Sequence, residues 1–207
     1  ILSGLVGSEM CIRDSFSSVN YKGNPDQQGY GKGEEIRLTS GGEIELRVNQ
    51  TFPMYAIRAR TQGAGIRHSE WHHVLAVFGR GELANQLQVY VDGREQPLEV
   101  EFDGFYNGRA ALRAAFVFGS EATPDAPAFR GALDELRIYF DTAPTSAQAA
   151  ALFASQAIPY ALERKKANAL MPHEAAWLND HARRLADLAF AKLAEQRDHL
   201  WTQHLAN

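Results

Sequence analysis

The chain has 207 residues, of which 45% are hydrophobic and 22% charged, and its formal net charge is −4. A chain of this length can bury one sizeable core and carry a small appendage beside it. The composition argues against a nucleic-acid-binding surface, which needs clustered Lys and Arg, and no apolar run approaches the roughly 20 residues of a membrane-spanning helix.

The first fifteen residues look like translated sequencing-adapter sequence, a contaminant of assembled environmental reads. We therefore assign residues 1–15 no part in the predicted fold, as one would for an expression tag. The alternative is a truncated secretion signal, because residues 1–6 are mildly apolar, but no basic region or small-residue cleavage site accompanies them. The domain is then expected to begin near residue 16 without its first strands, and Cys11, the single cysteine, carries no biological information.

A series of short β-prone segments follows, interrupted by Gly, Pro and Asp. The predicted strands are residues 36–38, 44–48, 55–60, 71–78, 87–91, 112–118 and 132–139. Many short strands at this spacing are typical of an antiparallel sandwich or jelly roll.

Residues 87–91 and 94–105 are predicted to form a hairpin. Side chains alternate along a strand, so Leu87 and its apolar neighbours at every second position share one face. Asp92-Gly93 tolerates the positive φ angles of a tight hairpin turn. One return strand, 94–105, is then expected to run back beside 87–91.

The composition becomes helical after Thr145, with many Ala, Leu, Arg and Glu residues. The expected elements are a short helix over 147–155, a break at Pro159, a second helix over 161–170 and a third over 172–205. Pro172 suits a first helical position, where its missing N–H has no helical partner to lose. Leucines spaced along the third helix form one apolar stripe that requires a partner: Leu178, Leu185, Leu188, Leu193 and Leu200.

Three motifs in the middle of the chain carry a family resemblance. They are Trp71-His72-His73-Val74, Tyr90-Val91-Asp92-Gly93, and Gly131-x-x-Asp134-Glu135-x-Arg137-Ile138-Tyr139. In their order and in their residues, the three motifs resemble those of the laminin-G-like, concanavalin-A-like jelly-roll family. The resemblance implies a mainly β protein, with an N-terminally truncated antiparallel β-sandwich over residues 16–156 and a C-terminal α-helical segment over 157–207.

The order of these parts resembles the middle of large secreted proteins, best known from planctomycetes, that combine cytochrome-c-like, uncharacterised and laminin-G-like domains. By this resemblance residues 157–207 open an uncharacterised domain, neighbouring domains of the same parent protein are partners, and the location is extracellular or periplasmic. The activity of the parent protein stays open.

Histidines offer weak candidates for a metal site. His72 and His73 are neighbours on a predicted strand, so their side chains point to opposite faces and cannot bind one metal together. His173-Glu174 begins a pattern typical of zinc proteases, but Trp177 stands where the second histidine is required. We expect neither site to bind zinc.

Asp134 is the candidate for calcium, because laminin-G-like relatives often bind calcium through carboxylates at the rim of the sandwich. The competing interpretation is structural: Asp134 accepts a hydrogen bond from a neighbouring turn or pairs with an arginine such as Arg137. No other cofactor is expected.

Glu99 and Glu101 are the candidates for catalysis, because alternation places them on one strand face together with Asp103. Successive carboxylates on that face are about 6.5 to 7 Å apart along the strand. Sandwich-fold glycosidases use carboxylates along one strand. The same alternation belongs to any half-exposed hairpin, however, and the Glu-x-Asp-x-Glu order of the family's hydrolases is missing. A structural role is therefore expected, with glycoside hydrolysis as a minor alternative.

The predicted function is a non-catalytic recognition module for a glycan or another cell-surface ligand, with no nucleic-acid partner. Tyr90, Phe105 and Tyr106 are the aromatic side chains that could stack on sugars, although core packing is the more common role of such residues. The alternative is a spacer domain that only docks on its neighbours. The sequence names neither the ligand nor the oligomeric state.

Overall fold

The computed structural model describes residues 2–8, 13–17, 33–51, 55–63, 65–67, 70–79, 83–104, 117–119, 129, 131–140 and 143–205. The strands are β1 (Leu2–Ser8), β2 (Arg13–Ser17), β3 (Gly33–Leu38), β4 (Ile44–Thr51), β5 (Tyr55–Thr61), β6 (Trp71–Phe78), β7 (Leu87–Val91), β8 (Arg94–Gln96), β9 (Leu98–Asp103), β10 (Val117–Phe118) and β11 (Gly131–Ile138). The helices are α1 (Ser146–Lys166) and α2 (Pro172–Leu205), and a 3-10 turn spans Ala84–Gln86. The chain divides into two compact units, Ile1–Phe153 and Ala154–Asn207.

Two antiparallel sheets make up the first unit. Sheet A has the strand order β11-β1-β6-β7-β8, and sheet B has the order β10-β2-β3-β4-β5-β9. Alternate apolar side chains of both sheets share one buried core: Ile36, Leu38, Ile44, Leu46, Val48, Ile57, Ala59, Val74, Ala76, Leu87, Val89 and Val91. Burial between two stacked layers confirms the predicted antiparallel sandwich.

Strand β6 is buried on both of its faces. Val74 and Ala76 belong to the core between the sheets. On the opposite side Leu75 packs with Tyr90 of β7 and Ala149 of α1. The first turns of α1 therefore cover the outer side of sheet A, which explains why β6 is a continuous apolar run rather than an alternating one.

Strand β1 and the first three residues of β2 lie in the segment 1–15 that the sequence prediction leaves out of the fold. β1 is antiparallel to both β11 and β6, and β2 is antiparallel to both β3 and β10. Ladder hydrogen bonds join backbone groups and depend little on side-chain type, so a central position in a sheet accepts many sequences. Part of this segment thus has a place in each sheet, and its adapter origin stays a prediction.

The predicted return strand 94–105 is wrong, because the chain changes sheets at Pro97. β8 pairs with β7 in sheet A, whereas β9 pairs with β5 in sheet B. Proline has no N–H to continue a ladder, and the Pro97 carbonyl instead accepts a hydrogen bond from the Gln62 N–H at 2.8 Å. Of the predicted strand 112–118, the described part is β10.

The predicted helix break at Pro159 is also wrong. Helix α1 runs from Ser146 to Lys166 with Pro159 inside it. Ala157, Ile158 and Ala161 around the proline are buried, and their burial offsets a cost of about 3 kcal/mol for an interior proline. The helix ends at Lys166, and Asn168 follows in the turn with a φ of 54°, which suits a left-handed residue just after a helix C-terminus.

Helix α2 begins at Pro172, as predicted. Glu174 is buried in its first turn, and its Oε2 accepts hydrogen bonds from the Met171 N–H at 2.7 Å and from Arg164 Nε at 2.8 Å. The Glu174 carboxylate raises the pKa of Arg164 above its ordinary value. This pair of a buried carboxylate and a partly exposed guanidinium joins α1 to α2 within the second unit. In the part of the chain that the structure describes, neither helix has a stretch long and apolar enough to cross a membrane.

Candidate functional site

Charged side chains cover the face of sheet B that points away from the core. They arise from alternation, because Ile36, Leu46 and Ile57 turn inward and their sequence neighbours turn outward. We call this set the charge ladder: Glu35 of β3, Glu45 and Arg47 of β4, Arg58 and Arg60 of β5, and Glu99 and Glu101 of β9. Four neighbouring strands thus contribute to one polar face.

The ladder begins on β3 and β4 as an unbroken alternation of carboxylates and guanidinium groups. Arg47 Nη1 lies 3.7 Å from Glu35 Oε2, and Arg47 Nε donates a hydrogen bond to Glu45 Oε1. Glu45 Oε2 lies 3.4 Å from Arg58 Nε on the next strand. The Arg47 guanidinium therefore lies between two carboxylates, those of Glu35 and Glu45.

The same alternation continues across β5 and β9. Arg58 Nη1 donates to Glu101 Oε2 at 3.2 Å, and Arg60 Nε lies 3.8 Å from Glu101 Oε1. Arg60 Nη2 donates to Glu99 Oε2 at 3.2 Å, which ends the ladder at the edge strand. The negative charge of Glu99 is the main reason why the pKa of Arg60 is raised above its ordinary value.

Exposure rises along the ladder from β3 to β9. The Glu35 side chain is 2% exposed, Arg60 is 37% exposed and Glu99 is 55% exposed. A buried charge must keep its partner, whereas an exposed pair contributes only about 0 to 1 kcal/mol and exchanges with water. The buried end is therefore structural, and the ion pairs at the exposed end can open at little cost.

The ladder offers the chemistry that a polyhydroxylated ligand requires. A guanidinium is a planar fork of donors, and a carboxylate is an acceptor with two oxygens. Sugar hydroxyl groups both donate and accept, so adjacent hydroxyls can bridge a guanidinium and a neighbouring carboxylate. Planar bidentate recognition is the particular strength of arginine.

Glu99 and Glu101 lie together at the exposed end of the charge ladder, where each pairs with an arginine. Both accept hydrogen bonds from arginine, Glu99 from Arg60 and Glu101 from Arg58. Asp103, predicted to share their face, instead accepts a hydrogen bond from the Ala84 N–H at 2.8 Å. A glycosidase needs a carboxylic acid that donates a proton and a second carboxyl group free to attack or to activate water, and both glutamates are engaged by guanidinium groups.

The prediction that Tyr90 could stack on sugars is wrong. It is 1% exposed because α1 covers the face of sheet A on which it lies. Phe105 and Tyr106, the other aromatic candidates, lie outside the described residues.

The motif histidines and Asp92 form a structural cluster. His72 is buried, and its Nδ1 lies 2.9 Å from Asp92 Oδ2, while its Nε2 accepts a hydrogen bond from the Arg67 N–H at 3.3 Å. Asp92 and Gly93 both adopt positive φ, 50° and 72°, as the predicted turn requires. His73 is buried on the other side of the strand, with its ring 5.8 Å from that of Phe153. The two histidines therefore face apart, as predicted for neighbours on a strand, and Trp71 opens the same strand.

The Asp134 region forms an irregular edge of sheet A. The register between β1 and β11 shifts there, and Glu135 has a φ of 54°. Asp134 Oδ1 accepts a hydrogen bond from the Glu135 N–H at 2.8 Å, and Glu135 Oε2, rather than Asp134, pairs with Arg137 at 2.7 Å. Gly131 begins the strand.

Calcium requires six to eight oxygen ligands, of which Asp134 supplies one carboxylate. Within the described ranges, no group of three or more His, Cys, Asp or Glu residues could hold a metal ion. Calcium binding at Asp134 stays a prediction.

The arginines of the ladder are the residues that the sequence prediction missed. A signal was present, because Glu45-x-Arg47 and Arg58-x-Arg60 alternate charged and apolar residues in the same way as Glu99-x-Glu101. The pairing of these segments depends on sheet order, which alternation within one strand does not reveal.

The model of the concanavalin A-like lectin/glucanases superfamily matches residues 14–150. No curated protein matches the chain significantly. Among solved structures, the Ruminococcus gnavus IT-sialidase CBM40 bound to α2,3-sialyllactose is similar with a TM-score of 0.55 and 14% identity, over 73% of this chain and 80% of that chain.

Two further structures of the same module show a comparable likeness. One has a TM-score of 0.53 and 15% identity over 73% of this chain and 79% of that chain. The other, bound to α2,6-sialyllactose, has a TM-score of 0.52 and 14% identity over 72% of this chain and 79% of that chain. Likeness at this level shows a shared fold, and the family model spans most of the chain: this protein belongs to the concanavalin A-like lectin/glucanases superfamily.

Proposed function

We propose that the sandwich is a non-catalytic glycan-binding module and that its ligand binds on the charge ladder of sheet B. The carrying observation is the unbroken run of alternating guanidinium and carboxylate groups from Glu35 to Glu99, with its exposed end at β9. A face of paired donors and acceptors matches the hydroxyl groups of sugars. The likeness to a carbohydrate-binding module supports the same ligand class.

Glycan binding fits an extracellular or periplasmic location. The module would there be one part of a larger exported protein. Its task there is to hold that protein on a glycan surface. The catalytic alternative has less support, because both candidate glutamates are paired with arginines.

A glycan array probed with the purified chain tests the proposal. We expect the wild type to bind at least one glycan class, and the double variant Arg58→Gln/Arg60→Gln to lose that binding while its circular dichroism spectrum shows that the sheets are intact. Arg137→Gln is the matched control, because Arg137 is also an exposed arginine paired with a glutamate but lies on sheet A.

Absence of binding to every glycan would overturn the proposal and favour the spacer domain. Binding that both arginine substitutions leave intact would place the ligand away from the ladder. Turnover of a bound glycan, abolished by Glu99→Gln or Glu101→Gln, would instead make the module a hydrolase.

A further inference from the structure

The exposed end of the charge ladder contains a guanidinium that already has two carboxylates as partners. Arg60 donates to Glu99 through Nη2 at 3.2 Å and through Nε at 3.3 Å, and Glu101 Oε1 lies 3.8 Å from the same Nε. Arg60 and Glu99 are also the two most exposed members of the ladder. The Arg60 guanidinium is therefore close to two carboxylates and accessible to solvent.

The Arg60–Glu99 pair costs little to open. An exposed ion pair contributes little to stability, because water competes for both groups and two long side chains must be held in one geometry. Glu99 accepts both hydrogen bonds from Arg60 on a single oxygen, Oε2. A carboxylate delivered on a ligand can use the same two donors, Nε and Nη2, with one oxygen each, which is the stronger bidentate arrangement. The ligand group and Glu99 are thus alternative partners of Arg60.

We propose, on the basis of the glycan-binding function above, that the ligand is an acidic sugar whose carboxylate binds Arg60 by displacing Glu99. Glu99 is then a resident competitor that lowers the affinity for acidic sugars, and Arg60 is the specificity-determining residue. Arg58 keeps its own partners, Glu45 and Glu101, and holds Glu101 in place beside Arg60. A neutral sugar gains nothing from the displacement.

The test compares α2,3-sialyllactose with lactose, which lacks the acidic residue, by titration calorimetry. We expect Glu99→Gln to bind sialyllactose about two- to five-fold more tightly than the wild type, the range that corresponds to an exposed ion pair. Affinity for lactose should not change. Arg60→Gln should abolish the preference for sialyllactose, and Arg60→Lys should restore it only in part, because an ammonium lacks the planar fork.

Glu135→Gln is the matched control, since Glu135 is 48% exposed and pairs with Arg137 as Glu99 pairs with Arg60. It removes one negative charge from the surface and should leave both affinities unchanged. An equal gain from Glu135→Gln would reduce the effect to net charge and overturn the inference.

An unchanged or weaker affinity of Glu99→Gln for sialyllactose would also overturn it. If the chain binds only neutral glycans and loses them in the Arg58/Arg60 double variant, the glycan-binding proposal stands and this inference fails. If neither the wild type nor Glu99→Gln binds any glycan, both fail.

Discussion

The carboxylate of Asp92 joins the turn after β7 to the beginning of β6 by bonding to two consecutive histidines. Its Oδ2 accepts from His72 Nδ1 at 2.9 Å, and its Oδ1 accepts from the His73 N–H at 3.0 Å. Because His72 Nε2 accepts a hydrogen bond from the Arg67 N–H, the ring proton of neutral His72 lies on Nδ1. Two motifs that lie twenty residues apart in the sequence are therefore one hydrogen-bonded unit.

Replacing Asp92 tests that unit. Asp92→Asn keeps the size of the side chain and tolerates the positive φ, but it weakens hydrogen bonds that a charge now strengthens. We expect the free energy of unfolding to fall by about 1 to 3 kcal/mol in urea denaturation. Asp134→Asn, at an exposed acid with one short-range bond, should change it by less than about 0.5 kcal/mol. Equal stability of Asp92→Asn and the wild type would refute the structural role.

Gly93 is required twice, by its backbone and by its surroundings. Its φ is 72°, and an added Cβ would lie 3.0 Å from Ala150 Cα and 3.0 Å from Phe153 Cβ in α1. Gly93→Ala should cost about 2 to 5 kcal/mol, the sum of left-handed strain and overpacking. Gly63 has a φ of 87° with no described atom near its Cβ position, so Gly63→Ala should cost about 1 to 2 kcal/mol. Calorimetric melting of both variants measures the difference, and equal losses would mean that α1 does not press on the turn.

The two ends of the charge ladder should differ in their contribution to stability. Arg47→Met removes an ion pair from both Glu35 and Glu45 at the buried end and should cost about 3 to 5 kcal/mol, because each of these poorly hydrated carboxylates loses a positive neighbour. Arg60→Met at the exposed end should leave the urea midpoint almost unchanged, because water competes for an exposed ion pair. Urea denaturation of the two variants gives the comparison. Similar losses at both ends would contradict the exposure gradient and, with it, the distinction between structural and exchangeable pairs.

Pro159 distinguishes a continuous α1 from the break that the sequence predicts. In a continuous helix, Pro159→Ala restores a helical hydrogen bond and should stabilise the protein by up to about 3 kcal/mol, with more helical circular dichroism. Pro172→Ala, at the first position of α2, should change stability little, because the N–H there has no helical acceptor. No gain from Pro159→Ala would support the break.

Calcium addition tests the remaining metal hypothesis. Calcium needs several oxygen ligands, and the described residues contain no group of three or more His, Cys, Asp or Glu that could hold a metal ion. We therefore expect millimolar calcium to leave the melting temperature unchanged. An increase that a chelator reverses and Asp134→Asn abolishes would establish a site that includes Asp134.

Local patterns in the sequence were sufficient for much of this fold. The apolar run of β6, the alternation of β7, the Asp92-Gly93 turn and the start of α2 at Pro172 each depend on a few consecutive residues. Propensity, alternation and turn chemistry act over such short distances, so the sequence alone determined these elements and the antiparallel sandwich that they form.

Partners across the fold were decided only by the tertiary structure. Tyr90 is buried because α1 covers it, and the strand predicted after Gly93 is split because Pro97 sends the chain into the other sheet. The arginine partners of Glu99 likewise follow from β5 lying beside β9. Which strands become neighbours depends on long-range packing and register, and a period read along one segment holds no information about the segment that will lie next to it.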